Sequence, residues 1–538
     1  EVWSKIRKIK SQYVPPTLNI KIADKFIETN EEKANLFAKH YQEIGKLNMT
    51  KPPSDIEIEI NSSLNYFAED QEYNKSFTTR EILDNIRSLK DTSPGIDNIP
   101  NIFLKRLPTH ILEELTYMFN TSWQSATVPV EWKTGIVVPI LKPGKEKCNI
   151  TSYRPITLLS CVGKLLEKII CKRLEHWIEK NRKLGAYQCG FRKGLSTIDI
   201  LLRLENKIRK SLDMKESCIV VYLDLKGAFD KVWHDGLLYK LAKMGIKGNL
   251  FRWIKDYLTD RKFMVRVGGT LSEPLDASNG VPQGAVLSPL LFNIMLSDMP
   301  IDNKIDIYCY ADDLTFSARD KDIKVCTRDM QNYINRVVRW IEDWGFVVSQ
   351  EKSIMQVFTT KRRMQNSIIR VKNVAIPCNK EYKLLGLILD APKLTYRAHI
   401  DYLVNDIRKR LSIMKVISSI SWGASKKVLR NFYIAYVRSK MDYGSVIYSG
   451  AAPSISSKLD KLQNVALRLI LGAWKTSPIL SMEVEAYIAP LKIRRNMLKL
   501  RQYLKLMNAP YDDVTAEMVK IKDVMHTDNS NPTRSFTA

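Results

Sequence analysis

Apolar positions along the chain fall into two periods. A period near 3.6 marks helices. Ile82, Ile86 and Leu89 follow a capping Thr78 or Thr79, and Leu165, Leu166, Ile169, Ile170, Leu174 and Trp177 form a second stripe. Met330, Tyr333, Ile334, Val337, Ile341 and Trp344 form a third, with Gly345 as its stop. Short apolar runs bounded by turn residues predict strands at 136–141, 156–159, 219–223, Ile305–Tyr310, 314–317, 353–358 and 384–389. After Leu394 the pattern is helical throughout, with Leu459, Leu462, Val465, Ala466, Leu469 and Ile470 on one face. Residues 1–77 are polar and mixed, broken by "YVPP" and "TKPPSD", and read as an N-terminal extension, partly helical and partly linker. No internal repeat is present. The order predicts an α+β core followed by an α-helical C-terminal domain.

Composition changes this picture in one respect. The 538 residues are 45% hydrophobic and 26% charged, ordinary for packed domains, but 84 Lys and Arg face 58 Asp and Glu, a net charge of +26. That excess points to a polyanionic partner, most simply nucleic acid, although a basic enzyme without one has the same composition. The 8 cysteines are scattered without a CxxC pair, so neither a zinc knuckle nor a disulfide framework is expected. Cys218 and Cys309 sit in apolar runs and read as reduced core residues. No apolar run is long enough for a membrane span, so no membrane partner is expected.

The chemistry concentrates in "IYCYADDLTF", where Asp312 and Asp313 interrupt an apolar hairpin. By itself this stretch reads equally as a solvated Asp-rich turn. In "VVYLDLKGAFD" a second apolar run also ends in a carboxylate, Asp224. If the two strands are neighbours, three carboxylates share one edge and repel each other unless divalent cations hold them. Hard oxygen donors without His or Cys favour Mg²⁺, and two such ions suit an in-line phosphoryl displacement.

At this point the residues resemble a family. "SPGIDNIPNIFLK", "VVPILKPGK", "SYRPITLLS", "GFRKGLST", "YLDLKGAFDKVWHDGLLYKL", "NGVPQGAVLSPLLFNIML", "YADD", "WGFVVSQEKSIMQVF" and "YKLLGLILD" follow one another in the order found in reverse transcriptases of non-LTR (LINE-type) retrotransposons. Each piece alone is weak, but "FDKVWH", "GVPQGAVLSPLLF" and "YADD" in that order are specific. The resemblance runs from about Thr78 to about Leu506. It implies a right-hand polymerase fold: fingers and an upstream block at 78–215, a palm with an antiparallel sheet at 216–393, an α-helical thumb at 394–509 and a tail at 510–538.

Carried over residue by residue, the resemblance makes Asp224, Asp312 and Asp313 catalytic metal ligands, with the Leu225 carbonyl as a further ligand, for two Mg²⁺ ions that Mn²⁺ could replace. Phe229 matches a steric gate against the ribose 2′-OH, and Gln283 and Gly284 match the loop beneath the incoming nucleotide. Lys142 and Arg154 match residues that grip the triphosphate, and Lys352 matches a proton donor to pyrophosphate. Tyr310 would support the primer end. Lys458, Lys461, Arg468, Arg494, Arg495, Lys499 and Arg501 would follow the phosphates of an RNA–DNA hybrid. Singly, each of these cations reads as a solvated charge.

The implied activity is RNA-directed DNA synthesis from dNTPs on the element's own template RNA, primed by the 3′-OH of target DNA. The family's mode of life implies ribonucleoprotein assembly in the cytoplasm and action in the nucleus. No endonuclease, RNase H or cysteine-knuckle motif is visible, so the chain is expected to be the polymerase section of a larger polyprotein. A group II intron-like enzyme fits less well, for want of a maturase-like tail, and a telomerase-like one lacks its extra RNA-binding domain. A silent RNA-binding scaffold would typically have lost carboxylates that are all present here.

Overall fold

The computed structural model describes residues 20–22, 25–47, 53–65, 71–361, 367–419 and 422–508. The expected tail at 510–538, and residues 1–19 of the expected N-terminal extension, lie outside the described residues. The chain divides into two compact units and enters each more than once: the described parts of 1–185, 225–300 and 337–348 make the first, those of 186–224, 301–336 and 349–538 the second.

The first unit is built on a mixed sheet. Thr134–Leu141 pairs antiparallel with Tyr153–Leu158 on one side and parallel with Lys262–Val267 on the other, and Lys262–Val267 also pairs with Thr270–Leu271 and Leu275–Asp276. The helix Asn30–Ile44 covers this sheet. Its Ala34 and Phe37 are fully buried with Tyr153, Val137 and Val265, and the Phe37 ring meets Tyr153 edge-on at 5.2 Å. Part of the segment expected to be an extension is therefore core. Its apolar residues find partners more than 100 positions away, which no local period reveals.

Helix Thr79–Arg87 begins where expected. Thr78 caps it, its hydroxyl accepting from the Glu81 N–H, and Ile82 and Ile86 are buried. The helix Cys161–Lys180 buries Leu165, Leu166, Ile169, Ile170, Leu174 and Ile178 completely, whereas Trp177 lies at the edge of the stripe.

The second unit carries a four-stranded sheet in the order Val348–Phe358, Ser217–Leu225, Asp313–Asp320, Ile305–Tyr310. Asp313–Asp320 pairs antiparallel with both of its neighbours. Helices Thr197–Asp213 and Arg397–Ile417 share a continuous apolar core with this sheet, through Ile200, Leu204, Ile208, Val220, Tyr222, Phe358, Ile400 and Ile407. Helices Pro453–Leu471 and Leu491–Met507 complete the helical C-terminal part. In Pro453–Leu471 the buried stripe includes Leu467 and leaves Val465 exposed, a shift of the expected face.

The run 384–389 is not one strand. It is a hairpin, Glu381–Leu384 paired with Leu387–Asp390, turning through Leu385 (φ 45°) and Gly386 (φ 88°). Glycine supplies a left-handed turn position cheaply, so an interior glycine in an apolar run marks a reversal here. Cys218 and Cys309 are fully buried free thiols. Among the described residues no helix is long and apolar enough to cross a membrane.

Candidate active site

The second unit positions the carboxylates. Ser217–Leu225 is longer than its apolar run, so Asp224 is paired within the ladder rather than following it. In the register, Asp313 stands opposite Asp224 on one side and Tyr310 on the other. Ala311 and Asp312 form the two-residue turn between Tyr310 and Asp313, with Ala311 at φ 56°. Antiparallel pairing thus places Asp224 and Asp313 on adjoining strands, with Asp312 one residue away.

The electrostatics follow from this placement. Asp313 is exposed at the surface, and the protein around it still desolvates its carboxyl in part. Desolvation, then the charges of Asp312 and Asp224, push its carboxyl up to about 6. Burial, followed by the charges of Asp313 and Asp224, raises the Tyr382 hydroxyl to about 12. Among the described residues nothing hydrogen-bonds the buried Oδ2 of Asp224, although the Lys352 ammonium lies 3.2 Å from it. The expected proton donor is therefore seated as a counter-charge on an expected metal ligand.

This donor set fits a hard divalent cation: oxygen-only, mutually repelling, with one buried oxygen that lacks a hydrogen bond. It does not form a closed cage, because no three His, Cys, Asp or Glu side chains converge on one point among the described residues. Leu225, whose carbonyl was expected to join the set, is the buried last residue of its strand.

Gln188 was not singled out from the sequence. Its side chain is 2% exposed, and its Oε1 accepts from the N–H groups of Gly190 (2.9 Å) and Ala311 (3.1 Å) while Nε2 donates to the Ala311 carbonyl (3.3 Å). Backbone bonds from Cys189 N–H to Cys309 O and from Cys309 N–H to Tyr187 O, both 2.9 Å, tie the same segment to the hairpin. A Cβ at Gly190 would lie 2.3 Å from the Ala311 nitrogen, so only glycine allows this approach. Tyr310 packs against the core of this unit.

The first unit carries the residues expected to meet the nucleotide. Phe229 is half-buried, its ring stacked on Phe292 at 4.7 Å and 20°. Gln283 and Gly284 lie in the loop before helix Ser288–Met295. Thr157 N–H donates to the Gln283 carbonyl at 2.9 Å, and Gly284 has φ 146° with its Cα against Thr157. Lys142 Nζ donates to the Thr151 carbonyl at 2.9 Å, and Arg154 is exposed on Tyr153–Leu158. Asp230, also missed, accepts from Gln283 Nε2 at 3.1 and 3.2 Å. Its only signal was a place beside Phe229.

Of the seven cations expected on nucleic acid, four are engaged within the protein. Lys458 pairs with Asp401, Arg494 with Asp442 and Arg495 with Asp460, while Arg468 donates to the carbonyls of Trp474 and Lys475. Lys461 and Arg501 are exposed. Lys499 is half-buried, and desolvation lowers its pKa.

Comparison with known proteins agrees with this chemistry. Residues 140–389 match the family model "Reverse transcriptase (RNA-dependent DNA polymerase)". The probable RNA-directed DNA polymerase from transposon BS of Drosophila melanogaster is 32% identical over 82% of this chain and 50% of its own length. The RNA-directed DNA polymerase from mobile element jockey of Drosophila funebris is 31% identical over 88% of this chain and 52% of its own. The probable RNA-directed DNA polymerase from transposon X-element of Drosophila melanogaster is 33% identical over 72% and 43%. The chain spans about half the length of these curated relatives. With the ordered motifs and the paired carboxylates, these matches lead to one conclusion: the chain belongs to the reverse transcriptases of non-LTR retrotransposons.

Proposed function

We propose that this chain is an RNA-directed DNA polymerase that copies template RNA, its own element's RNA, from the 3′-OH of a target-DNA primer. The observation that carries the reading is the register of Asp313 opposite Asp224, with Asp312 in the adjoining turn. Family membership implies dependence on a divalent metal. We assign the two ions as Mg²⁺, replaceable by Mn²⁺, and Asp224, Asp312, Asp313 and the Leu225 carbonyl as their ligands. Bound there, they would acidify the primer 3′-OH and neutralise charge gathering on the α-phosphate.

The protein's own groups do the remaining work. The primer 3′-oxygen forms the new bond to the α-phosphorus and pyrophosphate leaves, with Lys352 as the donor of a proton to it. Lys142 and Arg154 hold the triphosphate. Gln283 and Gly284 underlie the nucleotide, where the loop lets backbone come close. Phe229 excludes the ribose 2′-OH, so the product is DNA. Tyr310 supports the primer end, and Lys461, Lys499 and Arg501 reach the phosphates of the RNA–DNA hybrid. Lys458 joins them by exchanging its exposed pair with Asp401, which costs little, and Arg468, Arg494 and Arg495 join them where the phosphate replaces the partners they hold in the protein. In this reading the nick that makes the primer comes from an endonuclease elsewhere in the native polyprotein. Assembly with RNA takes place in the cytoplasm and synthesis in the nucleus.

The test is primer extension on an RNA template with dNTPs and Mg²⁺, comparing the wild type with Asp312→Ala/Asp313→Ala. Synthesis that disappears in the variant supports the reading. A wild type that binds the hybrid but adds no nucleotide with either Mg²⁺ or Mn²⁺ refutes it and favours an RNA-binding scaffold.

A further inference from the structure

The loop at 280–284 is fixed along its backbone. Gly280 N–H donates to Val232 O and Val281 N–H to Phe229 O, both at 2.8 Å, and His234 Nε2 lies 2.7 Å from Gly280 O. At the other end Thr157 N–H donates to Gln283 O. A Cβ at Gly280 would lie 2.6 Å from the Asp230 carbonyl oxygen, and one at Gly284 would lie 2.3 Å from the Thr157 carbonyl oxygen, so the loop has no room to shift on either side. This leaves the side-chain amide of Gln283 as the part still free to rotate.

Asp230 removes that freedom. Both its oxygens accept from Gln283 Nε2, at 3.2 and 3.1 Å. An ionised carboxylate only accepts hydrogen bonds, so it selects the nitrogen end of the amide and turns Oε1 away. Asp230 opens onto a cavity of about 310 Å³ that Tyr41, Lys46, Thr157 and Gln283 also line. A cation would be the ordinary partner for an enclosed carboxylate. Among the described residues the hydrogen bonds to this side chain come from a neutral amide, while Lys142 and Lys231 act on it through space. The arrangement therefore fixes an orientation at some cost in desolvation.

We propose that Asp230 is a positioning residue for nucleotide binding, holding the Gln283 amide in the one orientation that the incoming dNTP meets. The inference rests on the polymerase reading given above. It adds to that reading the residue that sets the amide.

The test is steady-state primer extension with varied dNTP, for wild type, Asp230→Asn, Gln283→Ala and the double variant. Losing a charge-assisted bond to an orienting group is expected to raise the KM for dNTP about tenfold with kcat little changed. The double variant is expected to be no worse than Gln283→Ala alone, because Asp230 acts through Gln283. A purely structural Asp230 would lower the melting temperature and the active fraction while leaving KM alone, and that result overturns the proposal. If Asp230→Asn does not fold, the exchange Asp230→Asn/Gln283→Glu keeps one donor and one carboxylate in the pair with the orientation reversed. A raised KM in that variant supports the proposal and a wild-type KM overturns it. Failure of the wild type to extend any primer would remove the polymerase reading and this inference together. Extension by the wild type with an unchanged KM in Asp230→Asn removes only the inference.

Discussion

Gln188 grips both backbone groups of Ala311, accepting from its N–H at 3.1 Å and donating to its carbonyl at 3.3 Å. Ala311 precedes Asp312 and sits at φ 56°, a region that costs a non-glycine residue about 1 kcal/mol or more. A fully buried side chain thus holds a strained turn that carries an expected catalytic carboxylate. Gln188→Ala would remove the side-chain oxygen that accepts from the Gly190 and Ala311 N–H groups and is expected to cost about 2–3 kcal/mol. The turn would relax, and kcat in primer extension should fall about tenfold or more. Ala311→Gly in the same background should recover part of the stability by relieving the strain. A denaturant melt and a kcat measurement on the three proteins check this, and an unchanged kcat in Gln188→Ala would separate the turn from catalysis.

The carboxylate pair predicts an unusual pH dependence. Asp313 has its carboxyl raised to about 6, by desolvation and by Asp312 and Asp224. A carboxyl raised on folding binds its proton more tightly in the native state. Its contribution is therefore fully present below the unfolded pKa near 4 and is lost as pH rises towards 6. With divalent cations chelated, Asp313→Asn is expected to melt above the wild type at pH 7.5 and level with it below pH 4. Added Mg²⁺ should stabilise the wild type more than the variant. A variant that melts lower at pH 7.5 would show that carboxylate repulsion is outweighed at this site by contacts the ionised Asp313 makes.

Two glycines separate conformational strain from steric exclusion. Gly284 has φ 146° and its Cβ position lies 2.3 Å from the Thr157 carbonyl oxygen, whereas Gly144 has φ 74° with nothing among the described residues within 4 Å of its Cβ position. Gly144→Ala is expected to cost only the left-handed strain, about 1 kcal/mol. Gly284→Ala adds a backbone clash and should cost about 3 kcal/mol or more, because Thr157 lies in a paired strand that cannot yield. Equal losses in urea melts of the two variants would mean that the 280–284 loop is softer than its hydrogen bonds suggest.

These cases also show where the sequence was readable. The strand Ile305–Tyr310, the cap at Thr78 and the stripe from Met330 to Trp344 are local patterns, and each appears as expected. Asp224 could be found because an apolar run leads to it. Gln188 and Asp230 could not, because each is a single polar residue whose meaning lies in a partner 123 or 53 positions away. The same distance hides the role of Phe37, which packs on Tyr153. The C-terminal arginines show the opposite gap: Arg494 and Arg495 read as cations presented to nucleic acid, and the fold also gives them Asp442 and Asp460 as partners. Charge runs reveal sign but not pairing, since their partners come from other helices.

Phe229 offers the sharpest division between packing and function. Its ring stacks on Phe292 at 4.7 Å, so removing it opens a gap as well as any gate. The two effects are read by different measurements. Lost packing lowers stability, by about 3–5 kcal/mol for a buried Phe→Ala and less for a half-buried one. Loss of a gate changes the ratio of kcat/KM for dNTP over NTP and leaves that ratio independent of melting temperature. Phe229→Ala is expected to lower the discrimination about a hundredfold, and Phe229→Tyr, which keeps the ring, is expected to preserve it. If Phe229→Ala destabilises the protein but still rejects ribonucleotides as the wild type does, the ring serves Phe292, and the preference for DNA must be set by another residue.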